Sequence, residues 1–425
     1  MCANFSLSLG DDATMSTRFG KILSVAACVA ASGALLWTVL HDTDHHSKGT
    51  ANTNGIGHDD SSASAASPAS SVAPEAGAPE QSTRSAYRGP KFDAHAHVDP
   101  QVADAAKKFL RGYGVGGVVN LSGGWAGAGL EESLAAARAS GEYYIVFANI
   151  NFEGIGTRGW AEREVAQLER AKAMGVRGVK IAKNLGLGVQ FPDGRRVPVD
   201  HPVLDPLFTA MARLHLPLSI HTGDPKAFFE PTGPANERMA ELASHPMWSF
   251  ADRDRFPTWN ALYAEFERRV RRSSHTTIIG VHFGNAPEDP ERVLKLLDDC
   301  PNYYVDTAAR IPELGRRAEL VRSTILAHPD RVLFGTDIQI GPGTLVLGAG
   351  PARGHSRADV DHFFSSSWEF FETSHRAFRH PTPIQGDWSI DGIDLPLEVL
   401  ENVYHKNAER VLGLSPIAVV TENRD

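Results

Sequence analysis

From Lys91 onward the chain reads as short apolar and β-branched runs that end in polar or glycine residues, each followed by a stretch whose apolar positions recur at helical spacing. Eight such runs can be counted: KFDAHAH (91–97), VGGVVNLS (115–122), YYIVFANI (143–150), VRGVKIA (176–182), LPLSIHT (216–222), TIIGVHF (277–283), NYYVDTA (302–308) and RVLFGTD (331–337). Between them, Trp160 to Met174 places Val165, Leu168 and Ala171 to Ala173 on one helical face, and Glu291 to Leu297 does the same with Val293, Leu294 and Leu297. Alternating strand and helix predicts an α/β fold with a parallel sheet, and eight units predict closure into a (β/α)8 TIM barrel; an open doubly wound sheet is the alternative that the pattern alone allows. Two connections, Asp224 to Thr276 and Ile338 to about Leu395, are too long for bare turns. Each is expected to hold a helix (Trp259 to Arg272; Ala358 to Phe378) and loop material that covers the barrel mouth.

The pattern changes before residue 90. Ile22 to Leu40 is a run of nineteen uncharged residues, preceded by Arg18 and Lys21 and followed by Asp42 and Asp44. That length just spans a bilayer, and positive charge on its amino-terminal side predicts a cytoplasmic N-terminus with an exported body. Residues 1–41 are therefore read as a signal anchor, with a cleaved signal peptide as the competing reading and Met15 as an alternative start. Residues 42–89 are rich in Ser, Ala, Gly, Pro and His, with almost no large apolar side chain, so they cannot bury enough surface to offset chain entropy and are expected to be a disordered linker. The globular domain is then 90–425.

Charge and cysteine content narrow the partners. A formal net charge of -9, with no basic patch interleaved with aromatics, argues against nucleic acid. Of three cysteines, only Cys300 lies in the globular part, which excludes a disulfide framework or a cysteine metal site there. A small-molecule substrate, with the membrane as a partner through the N-terminal segment, is the expectation; self-association stays open.

Chemistry concentrates at the strand ends. His95 and His97 are two apart on a predicted strand, so both side chains point to one face and can share an ion. By itself His-x-His is weak, since a chain with eighteen histidines supplies such a pair by chance. A lone histidine near a strand end is more often a satisfied polar residue, and Asp337 alone would be a turn or helix cap. The coincidence overturns these readings: His221, His282 and Asp337 also end predicted strands, and in a barrel all carboxyl ends open on one face.

The segments FDAHAHV, SIHTGD, GVHFGN, LFGTD and VYHKNAERVLGL resemble the amidohydrolase-2 branch of the amidohydrolase superfamily, over about Lys91 to Leu414. The resemblance implies that His95, His97, His221 and Asp337 bind one divalent ion, commonly zinc, and that His282 assists the chemistry. Three neutral imidazoles and a carboxylate suit such an ion and leave a position for water, whose pKa falls toward about 7. Asp337 is then expected to act both as ligand and as proton acceptor, with His282 polarising the substrate or shuttling the proton. Lys180 implies the alternative: in binuclear relatives a carbamylated lysine at this strand bridges two ions, with His221 and His282 serving the second, whereas an ion-paired structural lysine is the plainer reading. Arg310 could clamp a substrate carboxylate, Trp125 could line the pocket, and Asn285 could touch substrate. Asn184, Thr222, Asp224 and Asp306 suit either support of the site or ordinary capping. The implied activity is hydrolysis of an amide, lactone or ester of a small molecule. Nonoxidative decarboxylation or hydration on the same metal set is the runner-up, and a noncatalytic binding barrel the third reading.

Overall fold

The computed structural model describes residues 87–223, 225–350 and 355–420. The leader, most of the linker and Asp224 lie outside the described residues. Among the described residues no helix is long and apolar enough to cross a membrane.

Strands and helices alternate: β1 (Lys91–Val98), α1 (Ala103–Arg111), β2 (Val115–Asn120), α2 (Leu130–Ala139), β3 (Tyr144–Asn149), α3 (Trp160–Met174), β4 (Gly178–Ile181), α4 (Asp205–Arg213), β5 (Leu218–Ile220), α5 (Trp259–Arg272), β6 (Ile278–Gly280), α6 (Pro290–Asp299), β7 (Tyr303–Asp306), α7 (Ala318–Ala327) and β8 (Val332–Leu333). Consecutive strands from β1 to β8 pair in parallel. Beyond β8, Phe334 O accepts from Ala94 N and Asp337 N donates to His95 O, both at 2.8 Å. Next, β9 (Ile338–Gly341) pairs in parallel with β1, and β10 (Thr344–Val346) adds an antiparallel strand to β9. The chain leaving the eighth strand thus lies along the first.

Side chains alternate across this sheet, so it has two apolar faces. Val118, Val146, Val179, Ile181 and Leu218 pack outward among helix residues such as Trp160, Leu168 and Phe266. Phe92, Ala94, Val119, Leu121, Ile145, Phe147, Ile279 and Leu333, from β1, β2 and the residue after it, β3, β6 and β8, form a separate cluster with Ala408 and Leu412 of the last helix, Asn407–Leu412. Residues of β3 and β6 are not strand neighbours, and they share a cluster only because the sheet curls round it. Each large apolar side chain buried this way contributes about 1.5–3 kcal/mol.

Hydrogen-bonded strands are shorter than the apolar runs, three residues at β5 and β6 and two at β8. Among the residues outside the ladder are those at the carboxyl ends, such as His221, His282 and Asp337, which carry the polar side chains. α3 and α5 span the expected residues, the latter opened by Thr258, whose hydroxyl accepts from Ala261 N at 3.2 Å. The late helix α8 (Arg357–Glu372) begins with a Ser356–Asp359 capping box but stops well short of Phe378, where periodicity would end it. Its last carbonyls are claimed by the returning chain: Ile393 N donates to Phe370 O and Leu395 N to Phe371 O. Phe378–Arg379 pairs instead with Ser389–Ile390.

At the amino-terminal end of β1, the Lys91 ammonium lies 4.7 to 5.2 Å from the ring centres of Tyr87, Trp368 and Tyr404 and 3.9 Å from Glu372 Oε1. Tyr87 is buried there, so the packed structure includes residues just before 90.

Candidate metal centre

A register shift between Asp93 and Ala96 takes the His95 N–H out of the strand ladder, and Asp93 Oδ1 accepts it at 2.9 Å. The same oxygen accepts from Thr336 N at 3.0 Å, and Thr336 donates its hydroxyl to Asp93 Oδ2. Buried Asp93 thereby ties the histidine-bearing bend of β1 to the residue before Asp337, and burial pushes its carboxyl up to about 7.

The Nδ1 atoms of the two β1 histidines are both committed. His95 Nδ1 lies 2.9 Å from Asp306 Oδ2, and His97 Nδ1 lies 2.6 Å from Ser122 Oγ. That turns each Nε2 toward Asp337 Oδ1, at 3.4 Å for His95 and 3.2 Å for His97. Two imidazole lone pairs and a carboxylate oxygen facing one another make a set of acceptors that a cation between them satisfies. His95, His97 and Asp337 each offer one such atom within 4.8 Å of the others, and His95, His282 and Asp306 form a second group of the same kind.

His282 sits in a tight turn after β6 with φ 56°, followed by Phe283 at 53° and Asn285 at 63°. Non-glycine residues in this left-handed region cost about 1–3 kcal/mol each and persist where surrounding bonds dictate them. Here Asp306 Oδ1 accepts from His282 N at 2.8 Å and from Ala308 N at 3.1 Å, and His282 Nδ1 donates to Ala308 O at 2.8 Å. Asn285 uses both ends of its amide on β5: Oδ1 accepts from Thr222 N at 2.9 Å and Nδ2 donates to Ile220 O at 3.2 Å. His221 follows β5 directly, its N–H bonded to Ile181 O, and its ring centre lies 4.4 Å from that of His282. It stands beside His282 and outside the His95–His97–Asp337 group.

Lys180, on β4, is buried, and its ammonium has no hydrogen-bond partner among the described residues. Burial brings it down to about 8 against the pull of Asp306 and Asp337. Burial, then the Lys180 charge, holds His95 well below the usual histidine range; burial, then the charge of Arg310, does so for His282. Both are neutral imidazoles, the form that binds metal. Burial raises Asp306 to about 6; at Asp337 burial acts upward too, but His95, His97 and Lys180 outweigh it and leave the carboxyl below its ordinary range.

Arg310 is only 5 % exposed. Its Nη1 donates to Ala309 O at 2.9 Å, and it forms no ion pair among the described residues. Trp125 lies half-buried in the turn after β2, bridged to Ala128. A cleft of about 500 Å3, lined by Leu134, Arg138, Tyr144, Lys172 and Arg177 among others, opens at the opposite, amino-terminal end of β3 and β4 and contains none of these residues.

Sequence reasoning left Asp93 out and treated Asp306 as one strand-end residue among several. Asp306 carried a usable signal, a carboxylate closing an apolar strand; for Asp93 the signal was its place two residues before His95.

The fold and the metal-type donor set together define an α/β metal-site protein. The amidohydrolase family model matches residues 92–414, and the chain belongs to that family, the amidohydrolase-2 branch of the amidohydrolase superfamily. No curated protein matches it. Solved structures similar to it include 2,6-dihydroxybenzoate decarboxylase from Rhizobium (14% identity, 76% of this chain and 99% of that one, TM-score 0.44). Others are a manganese-bound dihydroxybenzoic acid decarboxylase from a Polaromonas species (13%, 76% and 97%, 0.46) and 4-oxalomesaconate hydratase from Rhodopseudomonas palustris (15%, 76% and 95%, 0.43).

Proposed function

We propose that the chain is a metal-dependent hydrolase on a closed (β/α)8 barrel, cleaving a C–N or C–O bond of a small molecule such as an amide, lactone or ester. The observation that carries this reading is the convergence of His95 Nε2 and His97 Nε2 on Asp337 Oδ1. His95, His97, His221 and Asp337 hold one divalent ion, zinc in our reading. When bound, the ion supplies Lewis acidity and a water of lowered pKa. Asp337, ionised at neutral pH, is placed to accept a proton, and His282, with Nδ1 donating to Ala308 O, keeps Nε2 to relay it. Lys180 is the residue through which a second ion would enter, as a carbamate bridge. We further propose that residues 22–40 anchor an exported protein to the membrane.

A specific observation favours a second reading, a nonoxidative decarboxylase or hydratase. Arg310 is a buried cation acting on His282 with no carboxylate partner among the described residues, an environment that an acidic substrate group completes. Incubating the metal-loaded protein in 18O-labelled water with amides, lactones and esters, and in parallel with aromatic and unsaturated dicarboxylic acids, separates the two. Label in a new carboxylate with bond cleavage supports hydrolysis; release of carbon dioxide, or addition of water to a double bond, assigns the lyase reading and contradicts the first.

A further inference from the structure

Around the mouth, the largest buried charge that the metal centre does not use is Arg238, which has no exposed surface. It lies in the insertion between β5 and α5, where its N–H donates to Asn236 Oδ1 at 2.9 Å and its Nη1 to Glu241 Oε2 at 2.7 Å, and its Nη2 meets Glu313 Oε1. Glu241 and Glu313 are each 2 % exposed, so three charges are buried together. Glu241 belongs to the same insertion as Arg238. Glu313 belongs to the turn Ile311–Leu314 after β7, which Arg310 opens.

That turn is gripped from the other side as well. In the segment after β8, Gln385 Nε2 donates to Ala309 O at 3.1 Å and Trp388 Nε1 to Pro312 O at 2.9 Å. The Trp388 ring also lies 5.9 Å from the Arg238 guanidinium and 4.6 Å from that of Arg316. Ala309 is held at φ 54°, a left-handed conformation that sets the direction in which Arg310 leaves the backbone. The charge of Arg310 acts on Arg238, and among the described residues it is Arg238, not Arg310, that pairs with carboxylates.

We propose that Arg238 is a positioning residue: through its buried contact with Glu313 it fixes the turn after β7, and with it Arg310, two residues beyond the Ala308 carbonyl that His282 Nδ1 bonds, so that the β5 insertion sets recognition of an acidic substrate group. A buried ion triad is a poor source of net stability compared with apolar packing, but it admits one arrangement of its three members. Joining segments that follow β5 and β7, with Trp388 from beyond β8 against it, this triad specifies how the loops meet. The inference rests on the reading that Arg310 receives an anionic group.

The test is calorimetric titration of the full-length, metal-loaded protein with benzoate, for wild type, R310M, R238M, E313Q and the doubles with R310M. R310M should weaken benzoate at least tenfold with metal content unchanged; equal binding in wild type and R310M would sink the Arg310 reading itself. Given that loss, R238M and E313Q should each weaken benzoate about as much as R310M does, and the doubles should be no weaker than R310M alone, since all act through one guanidinium. Should R238M not fold, E313Q, which keeps the side-chain shape and removes its charge, decides the matter alone. A folded R238M or E313Q that binds benzoate like wild type, or whose effect adds fully to that of R310M, overturns the positioning role, whatever its melting temperature.

Discussion

Asp306 shows how much one side chain can do at this centre. One oxygen meets His95 Nδ1, and the other accepts from the backbone of His282 and Ala308, so it orients the His95 ring and the His282 turn together. Replacing it by Asn leaves an oxygen for the backbone but puts an amide where His95 needs an anion. Metal affinity of D306N should fall by about 10- to 100-fold, as measured by chelator competition. An unchanged affinity would mean that Asp306 shapes only the His282 turn. That His95, His97 and Asp337 come together was legible because residues of ligand type ended the first and eighth apolar runs. Asp93 was not, because its role depends on a register shift in β1 that no periodicity announces.

Between β6 and β7 the packing is tight enough to predict its own failure. A Cβ at Gly284 would overlap the Tyr303 hydroxyl and crowd Val293 and Val305, and Gly284 also has φ 70°. Gly284→Ala should destabilise by about 2–4 kcal/mol, overpacking and left-handed strain combined. Tyr303→Phe should recover the steric share, since its buried hydroxyl has no partner to lose among the described residues. Denaturant unfolding of the single and double variants measures both; no recovery in the double would place the strain elsewhere. His380, in the segment after α8, supplies a pH dependence. Burial lowers it to about 4, while Nε2 bonds Gly386 O. The unfolded chain takes up that proton near pH 6.5 and the folded one only near 4, so this contribution to stability is present above 6.5 and is lost as pH falls through that window. Melting curves of His380→Gln should flatten between pH 6.5 and 4 relative to wild type; parallel curves would remove His380 from the account of acid sensitivity. At this scale the helix over Trp259 to Arg272 was legible because the connection after β5 was too long for a bare turn. The end of α8 was not, because distant residues Ile393 and Leu395 take its final carbonyls.

For the whole molecule, alternating apolar runs were enough to order eight strands, because each run must find an adjacent parallel partner. Invisible in them was how the chain leaving β8 returns to β1, through Phe334, Asp337 and β9, since those bonds depend on a bulge and a left-handed aspartate. The same joint brings residues 95 and 337 together, so fold and site stand or fall as one. The most direct test is elemental analysis of purified residues 87–425, a boundary that keeps Tyr87 in its cage, alongside H97A and D337A. We predict close to one divalent ion per chain in the parent and loss of the ion in both variants, all three soluble. Two ions per chain would make Lys180 a bridging ligand, and a folded parent without metal, or variants that keep full occupancy, would contradict the assignment of His95, His97 and Asp337 as the metal centre.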